Sequence, residues 1–152
     1  MSSLAKNFED YSSYHQTPGN KITHMVGIPI IVVTLLGLFS RIGPMTLNWG
    51  TLAVAPDGGL AIWFFAMIWY FWADWKLALP FSCVTLGGYF LGRTLPNEVL
   101  GLGFVFGWVL QFIGHYRFEK KSPAFYKNAE HLLVGPFWVF AHWIGYRPSR
   151  ST

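Results

Sequence analysis

Five long stretches of this chain carry no Asp, Glu, Lys or Arg, and they constrain its fold more than any other feature. They cover residues 22–40, 58–73, 77–92, 99–116 and 131–146. A chain of 152 residues has room for one hydrophobic core, and that core cannot enclose so many uncharged segments. Because apolar segments of this length are typical of membrane-spanning helices, we predict an integral membrane protein.

The predicted fold is an all-α membrane bundle of four to five short spans, formed by a single domain over residues 1–152. A span of about 16 residues reaches roughly 24 Å, which is short against a hydrocarbon core of about 30 Å. We therefore expect a bundle that thins the bilayer or partly leaves it. Residues 3–15 are predicted to form an amphipathic surface helix, because Leu4, Phe8 and Tyr11 recur at helical spacing.

Turn-forming residues predict where the spans begin, end and bend. Asn20 is the predicted N-cap of the first span, and Asn97 or Thr94 that of the fourth. Pro29 predicts a kink in the first span. The second and third spans, about 59–75 and 77–92, are so close that a bend within one re-entrant unit is the alternative. Between the first and second spans, residues 43–50 and 55–59 carry loop signals.

The distribution of basic residues favours a cytoplasmic N-terminus. With five spans, one side of the membrane holds Lys6, Lys21, Lys76, Arg117, Lys120, Lys121 and Lys127, and the other holds Arg41, Arg93, Arg147 and Arg150. The positive-inside rule places the larger set in the cytoplasm. The net charge is +4, but these residues lie in turns between apolar segments, so we expect membrane lipid and no nucleic acid as partner. A homo-oligomer is compatible with the sequence.

Four histidines fall at one membrane face in this topology: His15, His24, His115 and His131. Neutral imidazole binds iron, zinc, copper or nickel, so they are candidate metal ligands. Glu119 stands four positions after His115 and shares its face if the helix continues. Three histidines, or two and a carboxylate, with an open position would suit non-haem iron. The simpler alternatives are histidines that only form structural hydrogen bonds and a solvated Glu119.

Two separated motifs resemble the Mpo1-like family. The first is "YSSYHQTPGNKITHMVGIP" at residues 11–29, and the second is "QFIGHYRFEKKSPAF" at residues 111–125, followed by "LLVGPFWV" at 132–139. Characterised members of that family are iron(II)-dependent 2-hydroxy fatty acid dioxygenases of the endoplasmic reticulum. They act in fatty acid α-oxidation, within the breakdown of a sphingolipid base.

The resemblance also implies which residues form the site. It implies that His15, His24 and His115 bind Fe(II). The remaining candidates are Glu119 as a catalytic residue or lower-ranked ligand, His131 as a lower-ranked ligand outside the family pattern, and Tyr11, Asn20 and Gln111 as supporting residues.

The function that the resemblance implies is Fe(II)-dependent oxidation of a 2-hydroxy fatty acid by O2, which shortens the chain by one carbon. A 2-hydroxy carboxylate offers one metal two oxygens, and its apolar tail suits a bundle rich in Phe, Trp and Leu. We expect the metal at the cytoplasmic face of the endoplasmic reticulum, or of the inner membrane if the protein is bacterial. The alternatives are another membrane metalloenzyme, such as a zinc lipid hydrolase, and a non-enzymatic membrane protein with structural histidines.

Overall fold

The computed structural model describes residues 4–43, 47–49, 52–54 and 56–148, and these residues are mainly helical. The elements in chain order are α1 (Leu4–Ser13), α2 (Pro18–Phe39), β1 (Leu47–Trp49), β2 (Leu52–Val54), α3 (Gly58–Thr94), α4 (Asn97–Ile113) and α5 (His131–Ile144). A π-helical segment, Gly114–Glu119, extends α4, and a short 3-10 turn, Ala124–Tyr126, precedes α5. The predicted helical class is confirmed. The segment predicted as loop contains the antiparallel β1–β2 hairpin, in which Leu47 pairs with Val54.

The apolar face of α1 packs against α5. Leu4, Phe8 and Tyr11 are all buried, as their spacing of four and three residues along one helix face requires. The Phe8 ring makes an edge contact with Phe137 at 6.2 Å between centroids, and Tyr11 lies 5.3 Å from Trp138. The predicted amphipathic helix is therefore present, but protein covers its apolar face.

The N-terminus of α2 is capped by Thr17, so the prediction that Asn20 is the N-cap is wrong. The Thr17 side chain accepts a hydrogen bond from the backbone N–H of Asn20, and Pro18 occupies the first helical position. Proline favours that position because its fixed φ suits the helix and its missing N–H would be unpaired there anyway. The helix then continues without a break past Pro29 to Phe39.

The predicted second and third spans form one 37-residue element, α3, which is kinked at Asp74. Asp74 has φ −163° and ψ 100°, outside the helical region. Its Oδ1 accepts hydrogen bonds from the backbone N–H groups of Lys76 and Leu77, at 3.0 and 3.3 Å. The Asp74 side chain thus caps the second limb of α3. The close connection predicted between the second and third spans is the kink at this residue.

The start of α4 differs from its predicted caps. Pro96 is the N-cap residue and makes no side-chain capping bond, so the predicted caps Asn97 and Thr94 are wrong. The Asn97 side chain instead accepts a hydrogen bond from Arg41 Nε at 3.1 Å. It therefore joins the end of α2 to the start of α4.

Helices α2 and α4 pack closely and antiparallel. A Cβ on Gly27 would lie 2.9 Å from the Gly107 carbonyl oxygen, and one on Gly107 would lie 3.0 Å from the Gly27 carbonyl oxygen. Only glycine allows this approach of the two backbones. The packing brings the first turns of α2 beside the π-helical segment that follows α4.

Two described helical stretches are long and apolar enough to cross a membrane: Pro18–Phe39 and Asn97–Glu119. The apolar helix α5 is shorter, with 14 residues. Large apolar side chains also face outward, including Phe65, Trp72 and Leu102 at 69, 66 and 74% exposure.

Candidate metal centre

Three buried histidines from separate parts of the chain converge at one point. His15 lies in the turn between α1 and α2, His24 lies on α2, and His115 lies in the π-helical segment. One ring nitrogen from each histidine lies within 4.8 Å of the others. The three pairwise distances between ring centroids are 4.3, 4.9 and 4.8 Å. The structure thus brings together the histidines that the two motifs contain.

Backbone carbonyl groups fix the tautomers of two of these rings. His15 Nδ1 donates to the Tyr11 carbonyl oxygen at 2.6 Å, and His24 Nδ1 donates to that of Asn20 at 2.9 Å. A carbonyl oxygen only accepts, so each Nδ1 carries a hydrogen and each Nε2 of the neutral ring keeps a free lone pair. Metal-binding histidines commonly have this arrangement, in which a carbonyl orients the ring.

Two nitrogens of the cluster are buried without a hydrogen-bond partner among the described residues. They are His15 Nε2 and His115 Nδ1. A buried unpaired polar atom costs about 1–3 kcal/mol, and an ion or ligand bound to such an atom would offset that cost. Burial lowers the pKa of His15 to about 4, and the ring is therefore neutral at pH 7. Neutral imidazoles around one point form a donor set that fits a transition-metal ion.

Glu119 does not belong to this cluster but holds the turn that carries His15. Its carboxylate accepts hydrogen bonds from Gln16 N, Thr17 N and Thr17 Oγ1 at 3.0–3.1 Å, and from Asn20 Nδ2 at 3.2 Å. A carboxylate at the first turn of α2 also interacts favourably with the helix dipole. These contacts make Glu119 an anchor for the turn that carries His15.

The supporting residues predicted from the motifs surround the cluster. The Tyr11 ring stacks on His15 at 4.0 Å between centroids. Asn20 is buried, donates to the Tyr14 carbonyl oxygen at 3.0 Å and supplies the carbonyl that orients His24. Gln111 is buried at the wall of the adjoining cavity.

Gly114 permits the close approach of the π-helical segment to α2. A Cβ on Gly114 would overlap Asn20 Oδ1 and Thr23 Oγ1 and would lie 3.1 Å from His24 Nδ1. π-Helical turns are rare and often occur at functional sites. Here the turn carries both His115 and Glu119.

The remaining two histidines lie outside the cluster. His131 Nε2 donates to Asp10 Oδ2 at 2.8 Å, and His142 is exposed and bonds through Nδ1 to the Trp138 carbonyl oxygen at 3.0 Å. Sequence reasoning missed two contributors, Asp10 and Thr17. Thr17 directly before Pro18 was a readable capping signal, whereas Asp10 looked like an ordinary charge on the polar face of α1.

An apolar cavity of about 270 Å³ adjoins the three histidines. Along α2 its wall runs from His24 to Leu36, which is about 18 Å at the helical rise. Most other lining side chains are apolar, and among them are Ile28, Ile31 and Phe104. The cavity therefore suits a molecule with a long apolar tail and a polar end at the histidines.

A family model described as "2-hydroxy-palmitic acid dioxygenase Mpo1-like" matches residues 1–147 of the chain. The chain belongs to the Mpo1-like family. This confirms the resemblance that the two motifs indicate.

A curated member of the Mpo1-like family is similar over most of its length. The chain is 25% identical over 154 residues to a Saccharomyces cerevisiae protein named 2-hydroxy-palmitic acid dioxygenase MPO1, covering 91% of this chain and 79% of that protein. No solved structure gives a significant match.

Proposed function

We propose that this protein is an Fe(II)-dependent dioxygenase that shortens 2-hydroxy fatty acids by one carbon. The observation that carries the proposal is the position of three converging histidines beside an apolar cavity. The name of the yeast relative, a 2-hydroxy-palmitic acid dioxygenase, supports the same reaction class.

His15, His24 and His115 would hold the iron. Three neutral imidazoles occupy only part of the coordination sphere of Fe(II) and leave positions for other ligands. Bound iron would supply the electron chemistry that activation of O2 requires. The carbonyl groups of Tyr11 and Asn20 keep Nε2 of His15 and His24 unprotonated, and Glu119 fixes the turn that carries His15.

The cavity would hold the acyl chain and place the polar end of the acid at the histidines. Its apolar wall excludes water from the acyl chain, and this burial favours binding by about 0.8 kcal/mol per CH2 group. Conversion of a 2-hydroxy acid to CO2 and the acid one carbon shorter removes four electrons. One O2 accepts these four electrons, so the balanced reaction consumes one O2 per fatty acid and yields one water.

We further propose that the protein is an integral membrane bundle of four to five spans with the metal centre at the cytoplasmic face. The two long apolar helical stretches support this placement, as do outward-facing residues such as Phe65 and Leu102. The host membrane would be the endoplasmic reticulum, or the inner membrane in a bacterium. Labelling from the cytoplasmic side should reach both the N-terminus and residues 117–128. Labelling of residues 117–128 only from the opposite side would refute this topology.

The reaction is tested by O2 uptake and product analysis on purified, iron-loaded protein in lipid nanodiscs. We expect 2-hydroxyhexadecanoic acid to give pentadecanoic acid with one O2 consumed per molecule. Hexadecanoic acid should react at least about 100-fold more slowly, because a poorly placed reacting carbon costs on that order. Bound zinc without O2 uptake would favour the lipid hydrolase, and a metal-free protein inert toward both acids would favour a non-enzymatic role.

A further inference from the structure

His131 is a buried histidine that the proposed iron centre does not use. Its side chain is 5% exposed, and its Nε2 lies 2.8 Å from Asp10 Oδ2. Its other nitrogen, Nδ1, is buried and has no hydrogen-bond partner among the described residues. The ring is thus held at one end and has an unsatisfied polar atom at the other.

His131 lies in the wall of the cavity next to the proposed iron centre. His131 is one of the residues that line the same cavity as His15, His24 and His115. Tyr11 connects the two groups, because its ring lies 5.7 Å from that of His131 and 4.0 Å from that of His15. A molecule in this cavity therefore has both the three histidines and His131 among the polar groups of its wall.

Asp10 determines what kind of group His131 can bind. A carboxylate only accepts hydrogen bonds, so the short contact places a hydrogen on His131 Nε2. When the ring is neutral, this hydrogen leaves Nδ1 as an acceptor, which suits a hydroxyl donor and repels a carboxylate oxygen. The side chain of Asp10 is 55% exposed and approaches His131 from the solvent side, so it orients the ring without entering the cavity.

We propose that His131, oriented by Asp10, binds the substrate by accepting a hydrogen bond at Nδ1 from the 2-hydroxyl group of the fatty acid. The inference rests on the proposed function, since it concerns the same cavity and substrate class. It adds a residue that distinguishes a 2-hydroxy acid from the unsubstituted acid and is separate from the metal ligands.

The test is equilibrium binding to the full-length, iron-loaded protein in nanodiscs without O2, so that no turnover occurs. Calorimetric titrations compare 2-hydroxyhexadecanoic acid with hexadecanoic acid for the wild type, His131→Ala, His131→Asn and Asp10→Asn. Glu9→Gln is the matched control, because it makes the same type of change at an exposed position of α1.

We expect His131→Ala to weaken binding of the 2-hydroxy acid about 10-fold and to leave hexadecanoic acid binding and iron content unchanged. His131→Asn should restore part of the preference, because its amide oxygen can accept near the former Nδ1 position. Asp10→Asn should reduce the preference as well, because an amide N–H can donate to Nε2 and move the ring hydrogen to Nδ1. Glu9→Gln should behave as wild type.

The inference is overturned if both His131→Ala and Asp10→Asn keep the wild-type preference for the 2-hydroxy acid. It is equally overturned if His131→Ala loses its iron, since His131 would then be a metal ligand. Wild-type protein that binds the two acids equally would contradict the inference and the proposed substrate class together. If the wild type prefers the 2-hydroxy acid and the His131 and Asp10 variants keep that preference, the result contradicts the role of His131 but not the proposed substrate class.

Discussion

The carboxylate of Glu119 binds both the backbone N–H and the hydroxyl of Thr17, at 3.0 Å each, although the two residues are 102 positions apart. This contact ties the π-helical segment that carries His115 to the turn that carries His15. Two of the three histidines therefore depend on one carboxylate for their relative position. An interaction outside the cluster therefore helps to hold the parts of the chain that carry these histidines.

Substitution of this carboxylate should loosen the site without removing a ligand. In Glu119→Gln the charge-assisted bonds to Thr17 and Gln16 are lost or weakened, and we expect metal affinity to fall about 10- to 100-fold. Competition with a calibrated chelator measures this affinity. Glu98→Gln, at an exposed position in the first turn of α4, is the control. Unchanged affinity in Glu119→Gln would show that the turn holds His15 without this anchor.

A methyl group at position 114 should separate α2 from the π-helical segment. The new Cβ of Gly114→Ala would overlap Asn20 Oδ1 and Thr23 Oγ1, and overpacking of this kind costs about 1–3 kcal/mol of stability. We expect a lower thermal midpoint and reduced metal content. Gly101→Ala on α4 is the matched control because no atom of the described residues would lie within 4 Å of its added Cβ. If both variants lowered the thermal midpoint and the metal content equally, the close approach at Gly114 would not be what holds the metal centre together.

The chain length that the protein prefers in its substrate should depend on the side chains that line the cavity beyond the histidines. Trp63 lines the cavity and donates from Nε1 to Thr85 Oγ1 at 3.0 Å, which joins the two limbs of α3. Trp63→Ala should shift the preference toward longer 2-hydroxy acids, by up to about fourfold for each further methylene that becomes buried. Relative turnover of acids of increasing length measures the shift. Trp72→Ala, at an exposed position, should leave the length profile unchanged, and an unchanged profile in Trp63→Ala would place the chain elsewhere.

Local patterns predicted the helices, and the family resemblance selected the three histidines of the cluster from the four that the topology placed at one face. The uncharged stretches correspond to α2, the two limbs of α3, α4 and α5. His15, His24 and His115 were identified because they sit in two recognisable motifs and because the assumed topology placed them at one face.

Features that depend on tertiary contacts could not be predicted from local patterns. Glu119 was predicted as a catalytic residue or lower-ranked ligand, with a solvated charge as the alternative. Its contacts with Gln16 and Thr17 were hidden because these partners are more than 100 positions away. The pairing of Asp10 with His131 is hidden for the same reason, with 121 positions between the residues. The capping error at the start of α2 differs in kind, since Thr17 and Asn20 are both good caps and only Pro18 decides between them.

The most direct test of the account is the metal content of protein purified without O2, measured by mass spectrometry. The wild type should contain about one iron per chain, and His15→Ala, His24→Ala and His115→Ala should each lose most of it, because each removes one of only three imidazole ligands. His142→Ala, which changes an exposed histidine outside the cluster, should keep wild-type iron. Full iron content in all three cluster variants, or none in the wild type, would contradict the central claim that these histidines form an iron centre.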